Sequence, residues 1–106
     1  MEERNAVVND ATIEVERGML SAWLHLDYGG SGQGFGGYCL FSPKSSKDCA
    51  GHFIYRCLEI VGVERFDQLT GKTIRVRINE GRISAIGHIV KDLWFCPTKE
   101  LIKGDS

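Results

Sequence analysis

The densest chemical signal in this chain is one unbroken run, Asp27-Tyr28-Gly29-Gly30-Ser31-Gly32-Gln33-Gly34-Phe35-Gly36-Gly37-Tyr38, which holds six of its 13 glycines. Glycine lets backbone amides come close to a ligand and tolerates positive φ, so such a run can fold into an anion-binding nest. Tyr28, Phe35 and Tyr38 offer ring faces to a base, and Gln33 offers a donor and an acceptor on one group. The ligand-binding set read from the run is Asp27, Tyr28, Gly30, Gly32, Gln33, Gly34, Phe35, Gly36 and Tyr38. No helix opens directly after the glycines, so the pattern is not a dinucleotide fingerprint. The architectural alternative is a flexible strand connection with close packing at Gly36 and Gly37. Glycine-dense loops carrying polar and aromatic residues are often binding loops.

A second constellation lies at Ser45-Ser46-Lys47-Asp48-Cys49-Ala50-Gly51-His52, where a helix is expected to start. Helix N-termini attract anions through unpaired amides, and Lys47, His52 and Arg56 would add charge. Asp48 competes for the same amides as an N-cap, which favours a solvated helix face. His52, Arg56, Lys91 and Trp94 complete the expected ligand-facing set. Cys49-x-x-His52 has zinc-like spacing, but Cys57, His88 and Cys96 supply no second paired knuckle, so no metal is expected. Three histidines and four cysteines form no nucleophile motif, and no carboxylate pair stands out as an acid/base set. The chain therefore reads as a binding protein without a cofactor. Arg75, Arg77 and Arg82 fit a solvated sheet face, and Trp23 and Trp94 fit core or subunit contacts.

These groups must be positioned by a modest core. The 106 residues suffice for one domain, and a chain of this mass removes roughly 65% of its unfolded surface from water. Hydrophobic residues at 42% and charged residues at 25% are ordinary for a globular protein. A net charge of −1 creates no field for nucleic acid or anionic lipid, which argues against both as partners. The apolar stretches are too short for a membrane span, and the charged Met1–Asn5 start does not resemble a signal peptide. The expected compartment is cytoplasmic, and the four cysteines are expected as buried thiols. Residues 1–5 and 103–106 are expected to be loose ends.

The pattern predicts an α+β fold in the order β-β-β-α-β-β, a mostly antiparallel sheet with one amphipathic helix on a face. Ala11–Glu16 alternates as a strand, Arg17-Gly18 turns, and Leu20, Ala22, Leu24, Leu26 and Tyr28 share one face of the return strand. Tyr38–Phe41 is expected as a third strand, ended by Pro43. Ala50, Phe53, Ile54, Cys57, Leu58 and Val61 make a helical apolar stripe, with Gly62 past its end and Val63 folding back on Leu58. Ile74, Val76 and Ile78 alternate with Thr73, Arg75 and Arg77. Asn79-Glu80-Gly81 turns the chain into a strand from Arg82 to about Val90, with a bulge near Gly87. Lys91–Pro97 is expected as a tight turn whose aromatics pack back.

Several segments together, Leu26–Gly30 with Gly32–Tyr38, Ala50–Ile54, Gly62–Glu64, Gly71–Val76 and Ile86–Phe95, resemble a group of small proteins encoded by bacteriophages and prophages. The resemblance covers nearly the whole chain. It implies a role in countering host immunity, either by sequestering a nucleotide signal or by binding a defence protein in the manner of an anti-CRISPR protein. The leading expectation is a nucleotide-signal sponge, and a symmetric homo-oligomer could build pockets between chains. A small nucleic-acid-binding module is a further alternative.

Overall fold

A computed structural model describes residues 2–44 and 48–102 of the chain. It is a small α+β fold in which one six-stranded antiparallel sheet wraps one helix. The strands are β1 (Glu2–Glu16), β2 (Met19–Tyr28), β3 (Ser31–Gly36), β4 (Thr73–Asn79), β5 (Arg82–Gly87) and β6 (Trp94–Phe95). They lie in the order β3-β2-β1-β4-β5-β6, and the helix α1 (Ala50–Val61) enters between β3 and β4. Three hairpins turn on two-residue loops, Arg17-Gly18, Gly29-Gly30 and Glu80-Gly81. Both loop residues have positive φ in each, the type I′ geometry that matches strand twist.

Period-two patterning places the core as expected. Ala22, Leu24, Leu26 and Tyr28 of β2 and Ile74, Val76 and Ile78 of β4 are buried. Phe53, Cys57 and Ile60 turn one face of α1 onto them. Phe35, Phe53 and Phe95 form the centre, with ring centroids 5.6 to 6.2 Å apart. Such pairs add to area burial through edge and offset contacts. The helix ends as predicted: Gly62 adopts φ 85, and the amides of Gly62 and Val63 both donate to Leu58 O. Its start differs, because Cys49 holds the N-cap position without a side-chain cap, while Asp48 bridges to Phe41 instead.

Other expectations are corrected. Residues 2–5, expected loose, are the first part of β1 and pair with Arg75–Ile78 of β4. Ala6-Val7-Val8 is an unbroken apolar triplet flanked by polar residues, too short and without the alternation that would signal a strand by period. The third strand is Ser31–Gly36, and Tyr38–Leu40 is not strand, leaving isolated bridges from Phe41 to Leu20 and to Asp48. The bulge in the β4–β5 hairpin lies at Arg77/Ile78 against Ile83 and Ala85, and β5 ends at Gly87. The chain then turns, with His88 N–H donating to Leu93 O, and Trp94-Phe95 returns as β6. Of the four cysteines only Cys57 is buried, and Cys39, Cys49 and Cys96 are half-buried. Residues 103–106 and Lys47 lie outside the described residues.

Candidate functional site

The glycine run comprises the end of β2, the Gly29-Gly30 turn and β3, with Gly37 and Tyr38 beyond the strand. The register of β3 with β2 runs from Tyr28 opposite Ser31 to Trp23 opposite Gly36. Tyr28 and Ser31 flank the Gly29-Gly30 turn as a hydrogen-bonded pair, so Ser31, Gln33 and Phe35 direct their amides and carbonyls at β2. The same alternation continues where Gly37 N–H donates to Ala22 O at 2.8 Å. The amides and carbonyls of Gly32, Gly34 and Gly36 therefore point to the outer edge of β3, where no strand pairs with them.

Two of these glycines are required by a neighbour. A Cβ on Gly34 would lie 2.8 Å from Trp23 Cε3, and one on Gly37 would lie 2.2 Å from Trp23 Cζ2. The Trp23 indole thus covers β3 from the outer face of β2, in the manner by which aromatics shield edge glycines. Gly36 has a different constraint: φ is 119 and a Cβ would meet Ala22 O at 2.3 Å.

Gln33 joins the sheet across its open side. Its Nε2 donates to Gly81 O at 2.9 Å, and its Oε1 accepts from Ile83 N–H at 2.6 Å. The side-chain amide stands in for a peptide unit between β3 and β5, and Nε2 also reaches Tyr28 Oη at 3.3 Å. The expected two-sided hydrogen bonding is real, but both sides are spent on the protein itself.

Around this bridge lies a groove of about 540 Å³ lined by Trp23, Gln33, Gly34, Phe35, Gly36, Tyr38, Gly81, Arg82 and Ile83. Its size falls within the range typical of small-molecule sites, roughly 300–1,000 Å³. Phe35 belongs to the core and is only 2% exposed. Trp23 and Tyr38 are half-buried ring faces, and Arg82 is exposed with no carboxylate partner among the described residues. Burial, reinforced by nearby Cys96, raises the Tyr38 phenol above its ordinary value, so it stays a hydrogen-bond donor at neutral pH. The groove combines aromatic faces, one unpaired cation and outward backbone groups of Gly34 and Gly36. That chemistry suits a planar heterocycle carrying negative charge.

The expected ligand set divides over several places. Gln33, Gly34, Phe35, Gly36 and Tyr38 line the groove, whereas Asp27, Tyr28, Gly30 and Gly32 sit at the hairpin end beside it and do not. Tyr28 is buried beneath the Arg4 guanidinium, 5.6 Å from its ring centroid. His52 and Arg56 are drawn into an ion cluster with the C-terminal segment. Arg56 Nε and Nη2 donate to the two oxygens of Glu100 at 3.0 and 3.2 Å, its Nη1 donates to Glu59, and His52 Nε2 lies 2.9 Å from Glu100 Oε1. Burial alone would raise Glu100, but hydrogen bonds from Arg56 and His52 outweigh it and hold the carboxyl below the ordinary range.

Lys91 and Trp94 form a third place. Trp94 covers Gly87, whose Cβ would lie 2.6 Å from the indole, and the Arg77 guanidinium stands 3.8 Å from the ring centroid. Arg75 donates to His88 O and Lys91 O, fixing the turn, while Glu3 pairs with both arginines. These arginines are therefore committed to packing and ion pairs. Trp23, Gly81, Arg82 and Ile83 were not in the expected set. Trp23 was detectable in principle: it lies on the non-core face of its strand, next to a glycine-rich strand with no side chains of its own to cover that face.

Among the described residues no group of three or more His, Cys, Asp or Glu side chains is arranged to hold a metal ion. No helix there is long and apolar enough to cross a membrane. No family model, no curated protein and no solved structure matches the chain.

Proposed function

We propose that this chain is a phage-encoded binding protein that sequesters a nucleotide-type signal and so weakens bacterial antiviral defence. The observation that carries the binding part is the groove at the open edge of β3, where Trp23, Tyr38, Arg82 and the outward backbone of Gly34 and Gly36 converge. A base would stack on an aromatic face, its polar edge would meet the unpaired strand groups, and Arg82 would receive a phosphate. The phage and defence context rests on the sequence resemblance. Capture without turnover belongs to the same proposal.

A thermal-shift screen against nucleotides, cyclic oligonucleotides and ADP-ribose derivatives tests the reading. A compound at 100 times its dissociation constant adds about 2.7 kcal/mol, a shift of several degrees for a domain this small. The proposal expects one compound class to stabilise the protein, and the shift to shrink in Trp23→Leu and Arg82→Ala. No shift across the panel would overturn the nucleotide reading in favour of an inhibitor that binds a defence protein.

A further inference from the structure

The β1–β2 hairpin carries a second unpaired edge, far from the groove in sequence. Strand β4 pairs with Glu2–Val7 of β1, and the Val8 backbone is taken by Lys72 and Gly71. Beyond a bulge between Val8 and Asp10, β1 continues to Glu16 with β2 on one side only. Glu16 and Met19 flank the Arg17-Gly18 turn, so Asp10, Thr12, Glu14 and Glu16 spend their backbone groups on β2. The amides and carbonyls of Ala11, Ile13 and Val15 point outward, unpaired by any described strand.

The side chains of this segment divide by face. Ala11, Ile13 and Val15 continue the core-side face past the body of the protein, leaving Ile13 44% and Val15 71% exposed. Asp10, Glu14 and Glu16 stand on the opposite face, and no cation pairs with them among the described residues. Exposed edges in natural proteins are usually blunted by lysines, proline or inward charges. This stretch has a bulge at its base and none of those along its length.

We propose that this edge accepts an extended segment of a partner protein whose side chains alternate between apolar residues and Lys or Arg. The added strand would pair with the outward groups of Ala11, Ile13 and Val15. Its apolar side chains would cover Ile13 and Val15, and its cations would oppose Asp10, Glu14 and Glu16. A second copy of this chain fits poorly. Antiparallel self-pairing centred on Thr12 sets Asp10 against Glu14, centring on Ile13 sets Asp10 against Glu16, and centring on Glu14 sets that residue against its own copy.

The test is titration of a short acetylated and amidated peptide alternating Val and Lys, with a Val/Glu peptide as control, followed by amide exchange. The Val/Lys peptide is expected to bind and to protect the Ala11, Ile13 and Val15 amides, with affinity falling as salt rises. Ile13→Pro removes an amide that faces solvent, so the β1–β2 ladder survives while affinity falls about tenfold. Glu14→Lys is expected to weaken the Val/Lys peptide and strengthen the Val/Glu peptide, which a purely structural role would not produce. Equal binding of both peptides, no binding, or unchanged affinity in a folded Ile13→Pro variant would each overturn the proposal. So would sedimentation showing a dimer that Ile13→Pro dissolves, since the occupant would then be a second copy.

Discussion

Replacing Gln33 by Leu should destabilise the fold by more than its partly exposed position suggests. Two hydrogen bonds cross from this side chain to β5, at 2.9 and 2.6 Å, and leucine supplies neither. A net contribution of about 1 kcal/mol per bond, plus the cost of leaving the part-buried Ile83 amide unpaired, gives a loss of about 2–3 kcal/mol. At about 4–8 °C per kcal/mol for a domain near this size, the melting temperature should fall by roughly 8–24 °C. Gln33→Glu refines the test, because a carboxylate still accepts from Ile83 N–H but faces Gly81 O without a proton to donate. Its folded-state pKa is then raised, so the bridge is present at low pH and lost as pH rises through that value. Thermal denaturation from pH 4 to 8, with exchange of the Ile83 amide followed by NMR, reads both effects. An unchanged melting temperature for Gln33→Leu, or a Gln33→Glu deficit that ignores pH, would refute the bridging role.

Three further outcomes follow from the same geometry. Gly34→Val should displace the Trp23 ring and cost about 1–3 kcal/mol through overpacking, visible as a shifted indole fluorescence maximum; an unchanged spectrum and stability would contradict the packing described. Glu100→Gln should lower stability at neutral pH, and its deficit should vanish as acid titrates the wild-type carboxyl below the ordinary value of about 4.3, because a depressed folded-state pKa gives stability that is lost on acidification. The Cys57 thiol, pushed up to about 12 by burial, should resist alkylation at neutral pH until the domain unfolds, as peptide mass mapping would show.

Much of the fold was legible because burial follows period. The faces of β2, β4 and α1 were each set by apolar residues at spacing two or at three and four, and Gly62 marked the helix end. The first half of β1 was not legible, since the exposed Val7 between its buried positions Ala6 and Val8 hides the alternation, which gains meaning only from β2 and β4 on either side. The glycine run misled for a physical reason. Glycine signals a loop by its freedom, yet here β3 is held by backbone pairing and by an indole from the next strand, and both are long-range facts. The candidate site was half legible: the run does line a groove, but the Gln33 side chain is consumed by β5. His52 and Arg56 were likewise claimed by Glu100, whose approach no local pattern announces.

The central claim is that a nucleotide-type ligand occupies the groove beside β3. Amide and indole NMR of the labelled protein, titrated with the compound that gives the largest thermal shift, tests it most directly. The account predicts perturbations concentrated on the Gly34, Gly36, Gly81 and Ile83 amides and the Trp23 indole, with the Trp94 indole unmoved. Perturbations centred on Trp94, Arg75 and the Lys91 turn, or none at β3 under saturating ligand, would contradict it.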